Sequence, residues 1–284
     1  MDKKEFSIVF QLNKKQPWLA EKHESLLSLL FEDCKNEQER ALLIELLDRF
    51  TYLQENDFNN ALNTLSDSLV MDSDLKSATT QIVSLTADNY SDSGQSILYA
   101  LKNRLERRGW REHLAINKFG SSYKEFNRKG REHTNIVFVD EYIGSGQTVI
   151  SRVDEIHRVY QNKGIKNITI KVMVVAASTV GLDKIRSQNI EVKYVHEIKR
   201  GITDYFSNIH DRNKSISIMC ELEAALSTAY KGSPLPSLGY GGVESLYSRD
   251  YGNTPNNVFP IFWWPFYKDS SKRETLLTRA MGDA

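Results

Sequence analysis

The segment Val137-Phe138-Val139-Asp140-Glu141-Tyr142-Ile143-Gly144-Ser145-Gly146-Gln147-Thr148 combines residue types with complementary chemistry. An apolar run ends in two adjacent carboxylates, Asp140 and Glu141, and the chain then turns through Gly144-Ser145-Gly146 toward an amphipathic stretch that starts near Thr148. A helix N-terminus offers unpaired N–H groups and the positive end of the helix dipole, which suit a phosphate. Glycines let the backbone approach an anion closely. The Ser145 and Thr148 hydroxyls and the Gln147 amide stand in the same loop. Two carboxylates and a phosphate nest would repel each other around one small anion. They are compatible with a ligand that carries phosphate at one end and hydroxyls, or a bound Mg²⁺, at the other. A ribose phosphate has that shape: the acids accept hydrogen bonds from the sugar diol while Gly144 to Thr148 hold the 5′-phosphate. The plainer reading of Asp140 and Glu141 is a solvated strand end with a capping role.

Other phosphate loops fail on spacing. A Walker loop needs a lysine directly after its last glycine, and Gln147 follows Gly146. A dinucleotide fingerprint needs a third glycine where Val149 stands, with its acid downstream of the loop rather than before it.

Two further segments carry polar groups of interest. Asp92-Ser93-Gly94-Gln95-Ser96 closes a polar loop after the first β-like run, a place where open parallel sheets bind ligands, although Asp and Ser are also ordinary helix caps. Asn253 and Asn256, near Trp263 and Trp264, have the chemistry of a hood over a base; the alternative is turn chemistry beside core tryptophans. The Arg- and Lys-bearing stretch over 104–131 is interleaved with Glu106, Glu112 and Glu125 and reads first as a solvated face, with one cation available to reach a pyrophosphate.

The elements that must position these groups follow from periodicity. Residues 21–71 read as short amphipathic helices, with Asn36 as an N-cap, Leu42, Leu43, Leu46, Leu47 and Phe50 as one stripe, and Asp57 as a later cap. A strand is expected over 81–86, a helix over 97–110 and mobile connections around short elements over 104–134. Strand 135–139, helix 148–161, strand 168–177, helix 180–187 and strand 190–198 then alternate. Such alternation predicts an α/β fold: a mostly parallel sheet flanked by helices, with an N-terminal helical extension and an irregular C-terminal hood. The expected division is a helical region over 1–78, an α/β core over 79–213, and a helix (214–229) plus hood over 214–284.

Composition narrows the classes. The 284 residues hold 37 Lys+Arg and 37 Asp+Glu, so no global field exists to hold a polyanion. Cys34 and Cys220 have no metal-ligand spacing and read as reduced thiols. The run Val172–Ala177 is too short to span a bilayer, and the lysine-studded start lacks a signal-peptide core, so a cytoplasmic protein is expected. The apolar stripes of the N-terminal helices leave a protein partner or a homodimer open.

The acid pair and loop resemble the phosphoribosyl-diphosphate signature of type I phosphoribosyltransferases. The resemblance implies ribose contacts from Asp140 and Glu141, a 5′-phosphate cradle over Gly144–Thr148, and pyrophosphate binding by the Asp92–Ser96 loop. It also implies Mg²⁺ as cofactor, with Asp140 and Glu141 contributing indirectly, and transfer at the ribose C1. The helical start and the tail Gly252-Asn253-Thr254-Pro255-Asn256-Asn257 are similar to a divergent bacterial branch linked to conflict and defence systems. Gly144 stands where the usual signature has an acid, and Glu141 where Asp is commoner. A nucleotide- or ribose-phosphate-sensing module that regulates a partner is the alternative to turnover.

Overall fold

A computed structural model describes residues 2–85 and 93–280. In chain order come helices α1 (Lys3–Lys15), α2 (His23–Leu27) and α3 (Glu37–Asp48), strand β1 (Thr51–Leu53), helix α4 (Glu55–Val70), β2 (Thr80–Ser84), α5 (Ser93–Arg107), β3 (Leu114–Ile116) and α6 (Ser122–Arg128). These are followed by β4 (Asn135–Ile143), α7 (Gln147–Asn162), β5 (Thr169–Ser178), α8 (Thr179–Arg186), β6 (Glu191–Ile198) and α9 (Ile209–Glu223). Short strands β7 (Ala229–Tyr230), β8 (Ser233–Pro234) and β9 (Tyr247–Arg249) lie in the tail.

The chain divides into two compact units, residues 55–197 and residues 1–54 with 198–284. These boundaries differ from the expected 1–78, 79–213 and 214–284. Helix α4 belongs with the sheet, and the first 54 residues share a core with the tail. The reason lies in packing: texture along the chain reports helicity, whereas the destination of each apolar stripe is a tertiary matter.

The α/β unit is built on a five-stranded sheet in the order β3-β2-β4-β5-β6. The pairings β2–β3, β2–β4 and β4–β5 are parallel. Every residue of β2 is buried, and β5 is buried from Lys171 to Ser178, because both faces of these strands are covered. On one face Val83, Phe138, Val172 and Val174 pack with Phe126 of α6, Val149, Val153, Ile156 and Tyr160 of α7, and Leu182 and Ile185 of α8. The alternate strand residues Ile82, Val137, Val139, Met173 and Val175 are also buried, and α4 and α5 pack on the sheet. Tyr160 completes a buried polar triangle: Gln81 Nε2 donates to its hydroxyl (2.9 Å), Ser122 Oγ donates to Gln81 Oε1 (2.8 Å), and Ser122 and Tyr160 share a hydrogen bond (2.9 Å). The stretch expected as mobile connections around short elements contains β3, an edge strand, and α6. Asp57, expected as a cap, sits inside the first turn of α4, where its charge suits the helix dipole.

The other unit joins both ends of the chain. Asn36 caps α3, accepting from the Gln38 and Glu39 N–H groups (2.9 and 3.0 Å). Strand β1 pairs in parallel with β9. The leucines of α3 share a core with Phe259, Phe262, Trp263 and Trp264, so both tryptophans are core residues. The buried Arg273 guanidinium bonds Asp33 (Nη2 to Oδ2, 2.5 Å), which also accepts from Tyr267 (2.6 Å). Helix α9 covers 209–223 rather than 214–229. No helix among the described residues is long and apolar enough to cross a membrane.

Candidate functional site

The strand order changes direction at β2 and β4: the chain moves outward from β2 to β3, then returns to place β4 on the other side of β2. Open parallel sheets bind ligands in the crevice beyond the strand ends at such a switch point. The carboxyl ends of β2 and β4 run side by side there, with Ser84 opposite Val139.

Strand β4 extends four residues beyond the expected Val139. Asp140, Tyr142 and Ile143 pair with Val174, Ala176 and Ala177 of β5, so the acids lie inside the strand rather than past its end. Successive strand residues alternate in direction, and the two carboxylates have different surroundings: Asp140 is half-buried, whereas Glu141 is 4% exposed. Asp140 Oδ1 accepts from Ser93 Oγ (2.6 Å) and from the Glu141 N–H (2.7 Å). The first of these bonds brings the start of α5 beside the acid pair. Ser93 to Ser96 form the first turn of α5 rather than a loop, and Gln95 Nε2 reaches the Asn117 carbonyl at 3.4 Å. Asp92 lies outside the described residues.

The turn after β4 is fixed by a neighbouring element that the motif alone does not reveal. Ser178, at the end of β5, donates from Oγ to the Gly144 carbonyl (2.5 Å) and accepts at the same atom from the Gly181 N–H (2.9 Å), thereby capping α8. A Cβ on Gly181 would stand 2.3 Å from the Gly144 carbonyl oxygen. Gly146 has φ +74°, in the left-handed region, and a Cβ there would lie 2.9 Å from the Gly181 oxygen. Both glycines are therefore required by close approach, and Gly146 by its backbone angle as well. Gly146 is also the N-cap of α7, with no side chain capping the helix. The first N–H groups of α7 therefore lack a side-chain cap, and Gln147 and Thr148 beside them are exposed. Lys184 of α8 donates to Gln147 Oε1 (2.7 Å), placing a cation next to the turn.

Ser178, Gly181 and Lys184 stand beside the candidate site and are not found by motif reading. The Ser-Thr pair after an apolar run is a legible capping signal, but its contact with Gly144 depends on the β4–β5 pairing. The hood candidates belong to the other unit. Asn253 Oδ1 accepts from the Ala280 N–H (2.8 Å), tying down the tail, and Asn256 lines a pocket with Tyr240, Trp263, Trp264 and Arg279.

The family model PRTase-CE matches residues 18–279. No curated protein matches the chain. Solved structures similar to parts of this chain include orotate phosphoribosyltransferase from Aeropyrum pernix, at 16% identity and TM-score 0.33 over 50% of this chain and 72% of that one. Hypoxanthine-guanine phosphoribosyltransferase from Schistosoma mansoni, in complex with IMP, is 16% identical with TM-score 0.33 over 52% and 65% of the two chains. A hypothetical protein from Neisseria gonorrhoeae with bound ppGpp is 12% identical with TM-score 0.32 over 58% and 95%.

Proposed function

Because the chain belongs to the PRTase-CE family, we propose that its α/β unit binds phosphoribosyl diphosphate, or a related ribose phosphate or nucleotide, at the β2/β4 switch point and transfers the sugar at C1. The observation that carries this reading is the Ser93–Asp140 hydrogen bond near the carboxyl end of β4, the strand whose following turn leads into the uncapped N-terminus of α7. Asp140, aligned by Ser93 and its own backbone, accepts from the ribose hydroxyls, with Glu141 as the second acid. The N–H groups and hydroxyls over Gly144–Thr148 hold the 5′-phosphate, with Lys184 nearby. The first turn of α5, Ser93 to Ser96, lies on the side where pyrophosphate leaves. Positive charge develops on the sugar ring as the bond to pyrophosphate breaks, and fixed carboxylates beside it favour that state.

The donor set fits Mg²⁺ held chiefly by the ligand's own phosphates. Among the described residues no three His, Cys, Asp or Glu side chains form a cage, and Mg²⁺ commonly binds through one or two carboxylates plus substrate phosphates. Bound there, Mg²⁺ would neutralise charge on the leaving pyrophosphate.

Calorimetric titration with phosphoribosyl diphosphate, ribose 5-phosphate and common nucleotides, with and without Mg²⁺, tests the site. Asp140→Asn combined with Glu141→Gln is expected to weaken binding at least tenfold, since hydrogen bonds to charged groups contribute about 1.5–3 kcal/mol each. Equal affinity in both proteins removes the assigned role of the acids.

A second reading, a ligand sensor without turnover, is favoured by Gly144, which stands where the signature has an acid. Pyrophosphate release separates the two readings, and turnover that appears only in Gly144→Asp supports the sensor. The defence role suggested by the tail's resemblance belongs to the same proposal. Bacteria expressing the native protein should then survive phage challenge better than bacteria expressing the double acid variant.

A further inference from the structure

Helices α4 and α5 pack together within the α/β unit and leave a groove of about 320 Å³ lined by Asn63, Asn103, Arg104 and Arg107. Arg104 is half-buried, and its donors go to neutral oxygens: Nη2 to Asn59 Oδ1 (2.7 Å), Nε to Asn63 Oδ1 (3.1 Å) and Nη1 to the Ala100 carbonyl (2.8 Å). Nearby carboxylates serve other cations. Asp67 pairs with Arg108 (2.6 Å), and Glu106 pairs with Arg111 (2.7 Å). Burial, then the charges of Arg108 and Arg107, lower the Arg104 pKa, so the charged groups acting on it are themselves cations. Arg107, exposed and one helical turn further on, has no ion-pair partner among the described residues.

A half-buried guanidinium with only neutral acceptors and like-charged neighbours is under-compensated, because removing a cation from water is unfavourable unless an anion accompanies it. Arginine's planar fork matches the oxygens of a phosphate. Asn63 spends its carbonyl oxygen on Arg104, which leaves its NH₂ to donate into the groove. We propose that the α4–α5 groove is a second anion site, which takes a phosphate-bearing small molecule of diphosphate size between Arg104 and Arg107 with amide donation from Asn63 and Asn103. The groove is separate from the switch point: Arg104 lies eleven residues along α5 from Ser93, about 16 Å at the helical rise.

The test is calorimetric titration of the full chain with inorganic pyrophosphate, in a Ser145→Asp/Thr148→Asp background that repels phosphate from the switch-point loop. Binding that persists there and weakens roughly tenfold or more in Arg107→Gln, and further in Arg104→Gln/Arg107→Gln, supports the groove. Arg107 is exposed, so its single variant reads the site even where the double variant fails to fold, which far-UV circular dichroism detects. Affinity unchanged by Arg107→Gln, or no pyrophosphate binding in the Ser145→Asp/Thr148→Asp protein, overturns the proposal. A single-stranded oligonucleotide that binds the groove more tightly than pyrophosphate overturns the small-molecule assignment. The loop variants of the switch point report on the other site, so failure of one reading is distinguishable from failure of the other.

Discussion

Gly181 shows how much of the candidate site rests on an absent side chain. A methyl group there would meet the Gly144 carbonyl at 2.3 Å and the Ile143 Cγ2 at 2.8 Å. The first contact is with backbone, which has no rotamer by which to escape. Gly181→Ala should therefore displace the turn after β4, lowering stability by about 1–3 kcal/mol as overpacking does and weakening ribose-phosphate binding beyond what stability explains. Thermal melts and titration of the same preparation measure the two effects separately. An alanine protein with native melting and native affinity would refute the role assigned to this contact. Ser178 acts at the same place by hydrogen bonding, since its hydroxyl serves the turn and the α8 cap at once.

At the level of elements, the sheet is secured at the end away from the candidate site. Lys171, near the start of β5, pairs with Asp72 (3.0 Å), Asp74 (2.9 Å) and Glu191 (3.2 Å), and Lys193 of β6 joins Asp72 (2.5 Å). This cluster ties the segment between α4 and β2 to β5 and β6. Burial alone would lower the Lys171 pKa, but its bonds to Asp74, Asp72 and Glu191 outweigh that effect and raise it. Burial alone would raise the Asp72 pKa, but hydrogen bonds from Lys193 and Lys171 hold it below the usual carboxylate range. The sign follows: Asp72 stabilises the fold fully above its unfolded pKa, and that contribution fades as pH falls through the lower folded value. Asp72→Ala should cost about 3 kcal/mol at pH 7, since it leaves a buried ammonium short of a partner. The loss should shrink in strong acid. Urea denaturation at pH 7 and at pH 3 checks both statements.

For the whole molecule, the two units differ in how the chain builds them. Residues 55–197 are contiguous and contain the sheet with helices on both faces, whereas the other unit needs both chain ends. Expressed alone, residues 55–197 should fold with a cooperative thermal transition, and residues 1–54 alone should not. Circular dichroism melts of the two fragments decide this. The parallel alternation over 135–198 was legible because buried strands and amphipathic helices announce themselves in a short window: Val172 to Ala177 is apolar throughout, and Val149, Val153, Ile156 and Tyr160 recur at helical spacing. The acid pair and glycine turn were legible for the same reason, being contiguous. The chain order says nothing of partners distant in sequence. That Ser93 would meet Asp140, that Ser178 and Gly181 would grip Gly144, and that α4 would join the sheet while residues 1–54 joined the tail all depend on which strands lie side by side. Local chemistry is written residue by residue and can be read that way. Long-range contacts arise from the competition of many apolar faces for the same cores, and they exist only once the chain has packed.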